Sequence, residues 1–211
     1  MKVLELFAGT RSIGKAFENA GHDVYSVEWD KNFENIDLYA DIMTVTAQDI
    51  IDKFGHPDVI WASPDCTTFS IAAISHHRRK NPITGNLDPV SDYAKFCDTV
   101  DQHVLKLIRE LNPKYYFIEN PRGGMRKMTW MSGLPRYTVT YCQYGDTRMK
   151  PTDIWTNHPD PKFKPMCHNG DKCHEPAPRG SRTGTQGLKG SKERSVIPVE
   201  LCRHIVEICE E

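Results

Sequence analysis

Hydrophobic residues make up only 38% of the 211 positions, and none of them form a run long enough to cross a bilayer, which excludes a membrane-spanning helix. The N-terminus lacks the charged-then-apolar pattern of a secretion signal, so a cytoplasmic setting is expected. No charge of one sign dominates. The 27 Lys and Arg against 28 Asp and Glu leave a net charge of -1, so nucleic-acid contact would have to rest on a local patch. A disulfide framework is also missing: seven cysteines, an odd number and widely scattered, fit reduced thiols. There is no internal repeat. What remains is a chain long enough to bury one sizeable core with a small appendage.

The first two-thirds alternates short apolar runs with amphipathic segments, the pattern of a parallel sheet covered by helices. Strands are expected at Lys2 to Phe7, Asp23 to Glu28, Asp58 to Ala62, Tyr115 to Glu119, Tyr137 to Tyr141 and Asp153 to Trp155. A helix is expected from Val90 to Leu111, where Tyr93, Phe96, Val100, Val104, Leu107, Ile108 and Leu111 recur at helical spacing and read as a core stripe. Asn112-Pro113 stops it, because proline cannot continue a helix. From Asn157 to Glu193 the chain is rich in Pro, Gly, Lys and Arg, and Val196 to Ile208 returns to a helical pattern opened by Pro198.

Three segments carry chemistry. Leu4-Glu5-Leu6-Phe7-Ala8-Gly9-Thr10-Arg11-Ser12 reads as a strand entering a glycine turn before a helix, where a nucleotide-like ligand can approach the backbone. Glu28 ends the next strand, placed to accept from two ribose hydroxyls, and Asp41-Ile42 offers an acceptor for an adenine amino group. Ser63-Pro64-Asp65-Cys66 follows an apolar strand and holds a thiol in a proline-shaped loop, a candidate nucleophile. Phe117-Ile118-Glu119-Asn120-Pro121 brings a carboxyl group to the end of another strand, a candidate acid.

In this order and at these spacings, Phe7-Ala8-Gly9, Pro64-Asp65-Cys66 with Phe69-Ser70, and Glu119-Asn120-Pro121 resemble the DNA cytosine-C5 methyltransferases, in a small phage-like form. The resemblance implies an α/β, Rossmann-like S-adenosylmethionine-dependent sheet with helices on both faces and a short basic insert. It implies a catalytic core over 1–156, a target-recognition-like insert over 157–193, and a C-terminal motif and helix over 194–211 that return to the core. Carried over residue by residue, Cys66 adds to carbon 6 of a flipped cytosine, and Glu119 protonates N3 with Asn120 supporting the loop. Phe7, Ala8, Gly9, Thr10, Arg11, Ser12, Glu28, Trp29, Asp41, Ile42, Ser63, Arg194, Ser195 and Val196 then line the S-adenosylmethionine pocket. Arg148 or Lys150 steadies the target base or its phosphate. The implied partner is double-stranded DNA, inside a bacterial or phage-infected host cell, with no membrane. An RNA cytosine methyltransferase or an inactive nucleic-acid-binding relative is the alternative.

Several positions depart from the family's pattern. Arg11 and Ser12 replace two glycines of the donor loop, and Thr152 replaces the last arginine of the base-contacting pattern. Asp65 replaces a proline beside the nucleophile; a carboxylate there would raise the thiol pKa, so it is expected to turn away or bond the backbone. Arg194 stands where an asparagine is usual, which suggests an alternative donor, carboxy-S-adenosylmethionine, and a carboxymethylated product.

Cations for DNA come from two places. Ser70 and His76-His77-Arg78-Arg79-Lys80 follow Cys66 on what reads as a mobile loop, which would close over the extruded base and meet phosphates. Pro161 to Arg194 holds eight Lys and Arg against three acids, in an insert so short that it implies a short recognition sequence or help from a second subunit. Cys167-His168 and Cys173-His174 have zinc-type side chains, but their separation does not match a zinc ribbon. Asn169-Gly170-Asp171 between them reads as a turn, and no metal site is assigned.

Overall fold

A computed structural model of the chain describes residues 1–176 and 190–211. The part of the expected insert at 177–189 lies outside the described residues. In chain order the elements are β1 (Lys2–Leu6), α1 (Ser12–Asn19), β2 (Asp23–Glu28), β3 (Leu38–Tyr39), α2 (Ala47–Lys53), β4 (Val59–Ala62), α3 (Ile74–His77), β5 (Arg78–Lys80), β6 (Leu87–Pro89), α4 (Asp92–Leu111), β7 (Tyr115–Pro121), β8 (Arg136–Thr140), β9 (Pro151–Thr156), α5 (Ser191–Ser195) and α6 (Val199–Glu210). Seven strands form one sheet in the order β3-β2-β1-β4-β7-β9-β8, and β5 pairs with β6 as a separate hairpin. β1, β2, β3, β4 and β7 are parallel, whereas β9 runs antiparallel to both β7 and β8.

Both faces of the sheet are apolar, as the two-residue period of a strand requires when helices cover both sides. Leu4, Leu6, Ile60, Ala62, Ile118 and Trp155 face one core, with Ile50 of α2 and Val100, Val104, Leu107, Ile108 and Leu111 of α4. Val3, Val59, Trp61, Phe117, Val139 and Ile154 face the other, with Ile13 and Phe17 of α1 and Leu201, Ile205 and Ile208 of α6. The architecture is therefore the expected Rossmann-like α/β sheet. The strand ends after β1, β2, β4 and β7 lie side by side, since Leu6 pairs with Val27 and Ala62, and Ala62 with Ile118.

The stripe on α4 is core only in part. Ser91 caps the helix by accepting from the Ala94 amide, and Asn112 ends it in the left-handed region. Tyr93 and Phe96, at its start, are 41% and 48% exposed, whereas Ala94 and Cys97 of the same turns are buried.

Two buried charge networks hold the loops above the strand ends. Arg78 is not a cation at the surface of a loop. Its side chain is fully buried, donating to both carboxylate oxygens of Asp98 on α4 at 3.1 and 2.6 Å and to the carbonyl and hydroxyl of Thr68, while its guanidinium lies 4.2 Å over the Phe69 ring. The segment after Cys66 is thus a short helix and hairpin tied to α4 rather than a free loop, and the DNA-contact expectation for Arg78 is corrected: two carboxylate oxygens compensate its charge inside the fold.

The second network lies under the first turn. Arg11, in the left-handed region at the start of α1, turns inward to bond the Ser26 hydroxyl at 2.8 Å and to pair with Glu18 and Glu5. Glu5 accepts from the Gly14 amide at 2.7 Å and from the Ser26 hydroxyl at 3.0 Å, and burial raises its pKa to about 7. A side chain at Gly14 would place its Cβ 2.3 Å from that carboxylate, so only glycine fits.

Two outcomes are expected from chemical denaturation. Asp98→Ala leaves Arg78 buried without its counter-charge and should cost about 3–5 kcal/mol, whereas Lys80→Ala on the exposed strand should change stability by less than ~0.5 kcal/mol. The folded state binds the Glu5 proton more tightly than the unfolded chain does. Its stabilising contribution is therefore complete below pH 4.5 and lost as pH rises through about 7. Glu5→Gln should flatten that slope, on the order of 3 kcal/mol across the window.

Candidate active site

The donor side is built from the ends of β1 and β2. Phe7, Gly9 and Arg11 all take positive φ, so the chain reverses tightly after β1. The loop closes on itself: the Ala8 amide donates to Val27 and the Arg11 amide to Ala8. Glu28 locks the two loops together, accepting from the Gly9 amide at 3.0 Å on one oxygen and from the Trp29 and Asp30 amides at 2.9 and 3.0 Å on the other. Its carboxylate is held at the strand end in one orientation. Beside it Trp29 is 70% exposed, an open aromatic side chain at the strand end. Asp41 is exposed, accepts from the Met43 amide at 2.9 Å and sets the short 3-10 turn Ile42–Thr44, with Ile42 buried below.

The C-terminal segment reaches this loop. The Ile197 amide donates to the Ser12 hydroxyl at 3.2 Å, and Thr10 bonds the same hydroxyl. The Arg11 side chain is buried in the Glu5 network, which corrects its expected contact with the donor, and the half-buried Ser12 hydroxyl accepts from the C-terminal strap. Ser195 and Val196, just before Ile197, are exposed at this edge.

The reacting side joins the ends of β4 and β7. The Asn120 side chain donates to the Pro64 carbonyl at 3.0 Å, clamping the Cys66 loop onto the strand that carries Glu119. The Ser63 hydroxyl accepts from the Trp61 indole at 2.8 Å. Asp65 bonds the backbone as expected, accepting from the Thr67 amide at 2.7 Å, and it also accepts from the Tyr93 hydroxyl. Even so, its charge acts on the neighbouring thiol. Burial pushes the Cys66 pKa up, the carboxylates of Asp65 and Glu119 add to the rise, and the Lys150 ammonium opposes it. Burial also raises the Glu119 pKa against the pull of Lys150, and burial lowers that of Lys150 against the pull of Glu119. Thiol, carboxyl and ammonium are thus close enough to set one another's charge.

The two cations of the β8–β9 loop separate into different tasks. Arg148 closes on Asp146 with contacts of 2.7 to 3.3 Å and reaches the Arg194 carbonyl at 3.4 Å, so a carboxylate two residues away already pairs with it. Lys150 donates to the same carbonyl at 2.5 Å and stays beside Glu119, over the buried Tyr141 ring at 5.0 Å. Thr152, at the last arginine position, is buried inside β9. Arg194 is engaged through its backbone oxygen, which receives both cations.

Of the remaining expected DNA contacts, His76, Arg79 and Lys80 are exposed, His77 bonds the Ser91 hydroxyl at 2.7 Å, and Ser70 donates its amide to the Cys66 carbonyl at 2.9 Å. Sequence reasoning missed Asp98, Tyr93 and Asp146 as partners. Tyr93 and Asp98 lie on α4, where only the apolar period was read, and Asp146 carried no signal beyond its nearness to Arg148.

Residues 1–129 match the family model for the C-5 cytosine-specific DNA methylases. The frog virus 3 (isolate Goorha) protein named "Probable DNA (cytosine-5)-methyltransferase" is 28% identical over 227 residues, covering 99% of this chain and 100% of its own. Among solved structures, the Dnmt2 methyltransferase of S. pombe superposes with a TM-score of 0.51 at 19% identity, over 74% of this chain and 50% of that one. The methyltransferase EhMeth of Entamoeba histolytica gives 0.54 at 14% identity, over 81% and 57%. The chain thus spans about half the length of these two structures, which share its fold. With its motifs on adjacent strand ends and the family model matched across more than half its length, this chain belongs to the C-5 cytosine-specific DNA methylases.

Proposed function

We propose that the protein transfers a methyl group from S-adenosylmethionine to carbon 5 of a cytosine in double-stranded DNA. The observation that carries this reading is the joining of Cys66, Glu119 and Lys150 at two adjacent strand ends, clamped by Asn120. The donor cleft fits S-adenosylmethionine: the Glu28 carboxylate is oriented for two vicinal hydroxyls, Asp41 keeps an acceptor for an amino group, and the open Trp29 indole can stack on a purine. When bound, the donor supplies an electrophilic methyl group on a sulfonium.

The chain's own residues do the rest. The Cys66 thiolate forms a bond to carbon 6 of the cytosine, and the displaced π pair moves toward N3. Glu119, whose pKa burial raises, delivers its proton to N3, so the negative charge never accumulates and carbon 5 becomes nucleophilic. Lys150 balances the carboxylate that this transfer creates. After carbon 5 is alkylated it loses its proton to a base, the carbon–sulfur bond breaks with its pair returning to sulfur, and the N3 proton returns to Glu119. The exposed Arg79 and Lys80, which follow the Cys66 loop, supply cations for the DNA phosphates, with the exposed His76 beside them.

Duplex DNA incubated with protein and S-adenosylmethionine, then digested to nucleosides and weighed, should yield 5-methylcytosine. Cys66→Ala should abolish it, and Glu119→Gln should slow it by about 10²–10⁴. A product found only in RNA, or a carboxymethyl product from the carboxylated donor, would overturn this reading. The raised thiol gives transfer an alkaline limb. Asp65→Asn removes a negative charge beside the thiolate, which lowers the thiol pKa, so the limb should begin at lower pH in single-turnover rates.

A further inference from the structure

We propose that the protein holds a structural zinc ion on Cys142, Cys167, Cys173 and His174, which fastens the start of the basic insert to the β8–β9 loop. Cys142 lies in the 3-10 turn Tyr141–Tyr144 that leaves β8, and the other three come from the insert. One ligand atom from each residue lies within 4.8 Å of all the others. The Cys142 sulfur is 3.1 Å from that of Cys167 and 3.4 Å from that of Cys173, while the Nδ1 of His174 is 3.6 Å from Cys167 and 3.5 Å from Cys173.

A tetrahedral zinc with bonds of about 2.3 Å to sulfur and about 2.0 Å to nitrogen sets edges of roughly 3.7 Å between sulfurs and roughly 3.5 Å from sulfur to nitrogen. These two sulfur–nitrogen distances meet that geometry, and the two sulfur–sulfur distances need an opening of about 0.3 and about 0.6 Å. A disulfide needs a bond of about 2.05 Å and accounts for two sulfurs only, leaving the third cysteine and the imidazole unexplained. Three thiolates with one imidazole are a structural zinc donor set with all four positions filled by protein.

The surroundings preorganise the cluster. The Cys167 amide donates to the Thr140 hydroxyl at 3.0 Å, and the Glu175 amide donates to the Thr147 carbonyl at 2.8 Å, so the insert is tied to the core on both sides of its ligands. Between them the expected turn is present, with the Asp171 amide donating to the His168 carbonyl at 3.1 Å. His168 is not a ligand: its side chain is 90% exposed and sits beside Asp171. The local spacing argued against zinc because the fourth ligand, Cys142, comes from a different strand end. That ligand sits just ahead of Asp146, Arg148 and Lys150, so the metal would couple the insert to the loop that balances Glu119.

The full chain, purified without a metal-affinity tag, should carry about one zinc per molecule by elemental analysis. Cobalt added to apo-protein should give the intense thiolate-to-cobalt absorption of a tetrahedral sulfur-rich site. Cys173→Ser, at an exposed ligand that should leave folding intact, should lose both signals, and His174→Ala should weaken metal retention at least tenfold. Cys66→Ala, outside the cluster, should keep them. Reduced protein that retains no zinc and takes up neither zinc nor cobalt, or peptide mapping that finds Cys142 bonded to Cys167 as a disulfide in freshly purified protein, would overturn the proposal. These readouts do not depend on methyl transfer, so failure of the zinc site and failure of the proposed activity are distinguishable.

Discussion

Everything at the reacting end depends on burying the Glu119 carboxyl beside a thiol. A carboxylate and a thiolate together would place two negative charges out of water, at a cost far above what the fold can spare. Burial shifts the thiol and the carboxyl toward their neutral forms, and the Lys150 side chain beside them opposes that shift on both. The same arrangement suits proton delivery to an electron-rich base. The Asn120 clamp on the Pro64 carbonyl then makes the two strand ends one unit, so thiol and acid move together.

Around this centre the cations are sorted by partner rather than by position in the chain. Arg78, Arg148 and Lys150 all stand in segments where a basic residue near a nucleophile suggests a phosphate. Arg78 is taken by Asp98 and Arg148 by Asp146, and only Lys150 faces the reacting pair. The C-terminal segment joins the two halves of the site: the Arg194 carbonyl receives Arg148 and Lys150, and the Ile197 amide reaches Ser12 in the donor loop. One short strap thus touches both the loop after β1 and the β8–β9 loop.

The fold was largely legible because strand, turn and helix signals are local. Asp23–Glu28 is bounded as read, and α4 starts at its Ser91 cap and stops at Asn112. The short strands β3, β5 and β6 carry too few residues to show a period. For the same reason the positions of Cys66 and Glu119 could be read from strand ends. The direction each cation faces could not, because it is decided by carboxylates such as Asp98, brought close only by folding. Arg11 shows this most clearly. Expected to line the donor pocket, its side chain instead turns inward to Glu5 and Glu18. Cys142 is the same lesson in the opposite sense, a residue that gains its meaning from an insert 25 positions away.

The most direct test of the account is covalent trapping on duplex DNA in which 5-fluorocytosine replaces cytosine, with S-adenosylmethionine present. Fluorine on carbon 5 blocks the final proton loss, so a thiol that has added to carbon 6 cannot leave. The account predicts a protein–DNA adduct that survives denaturation, maps to the peptide containing Cys66 and is absent in Cys66→Ala. An adduct on another residue, or no adduct under conditions where the same protein methylates ordinary DNA, would contradict it.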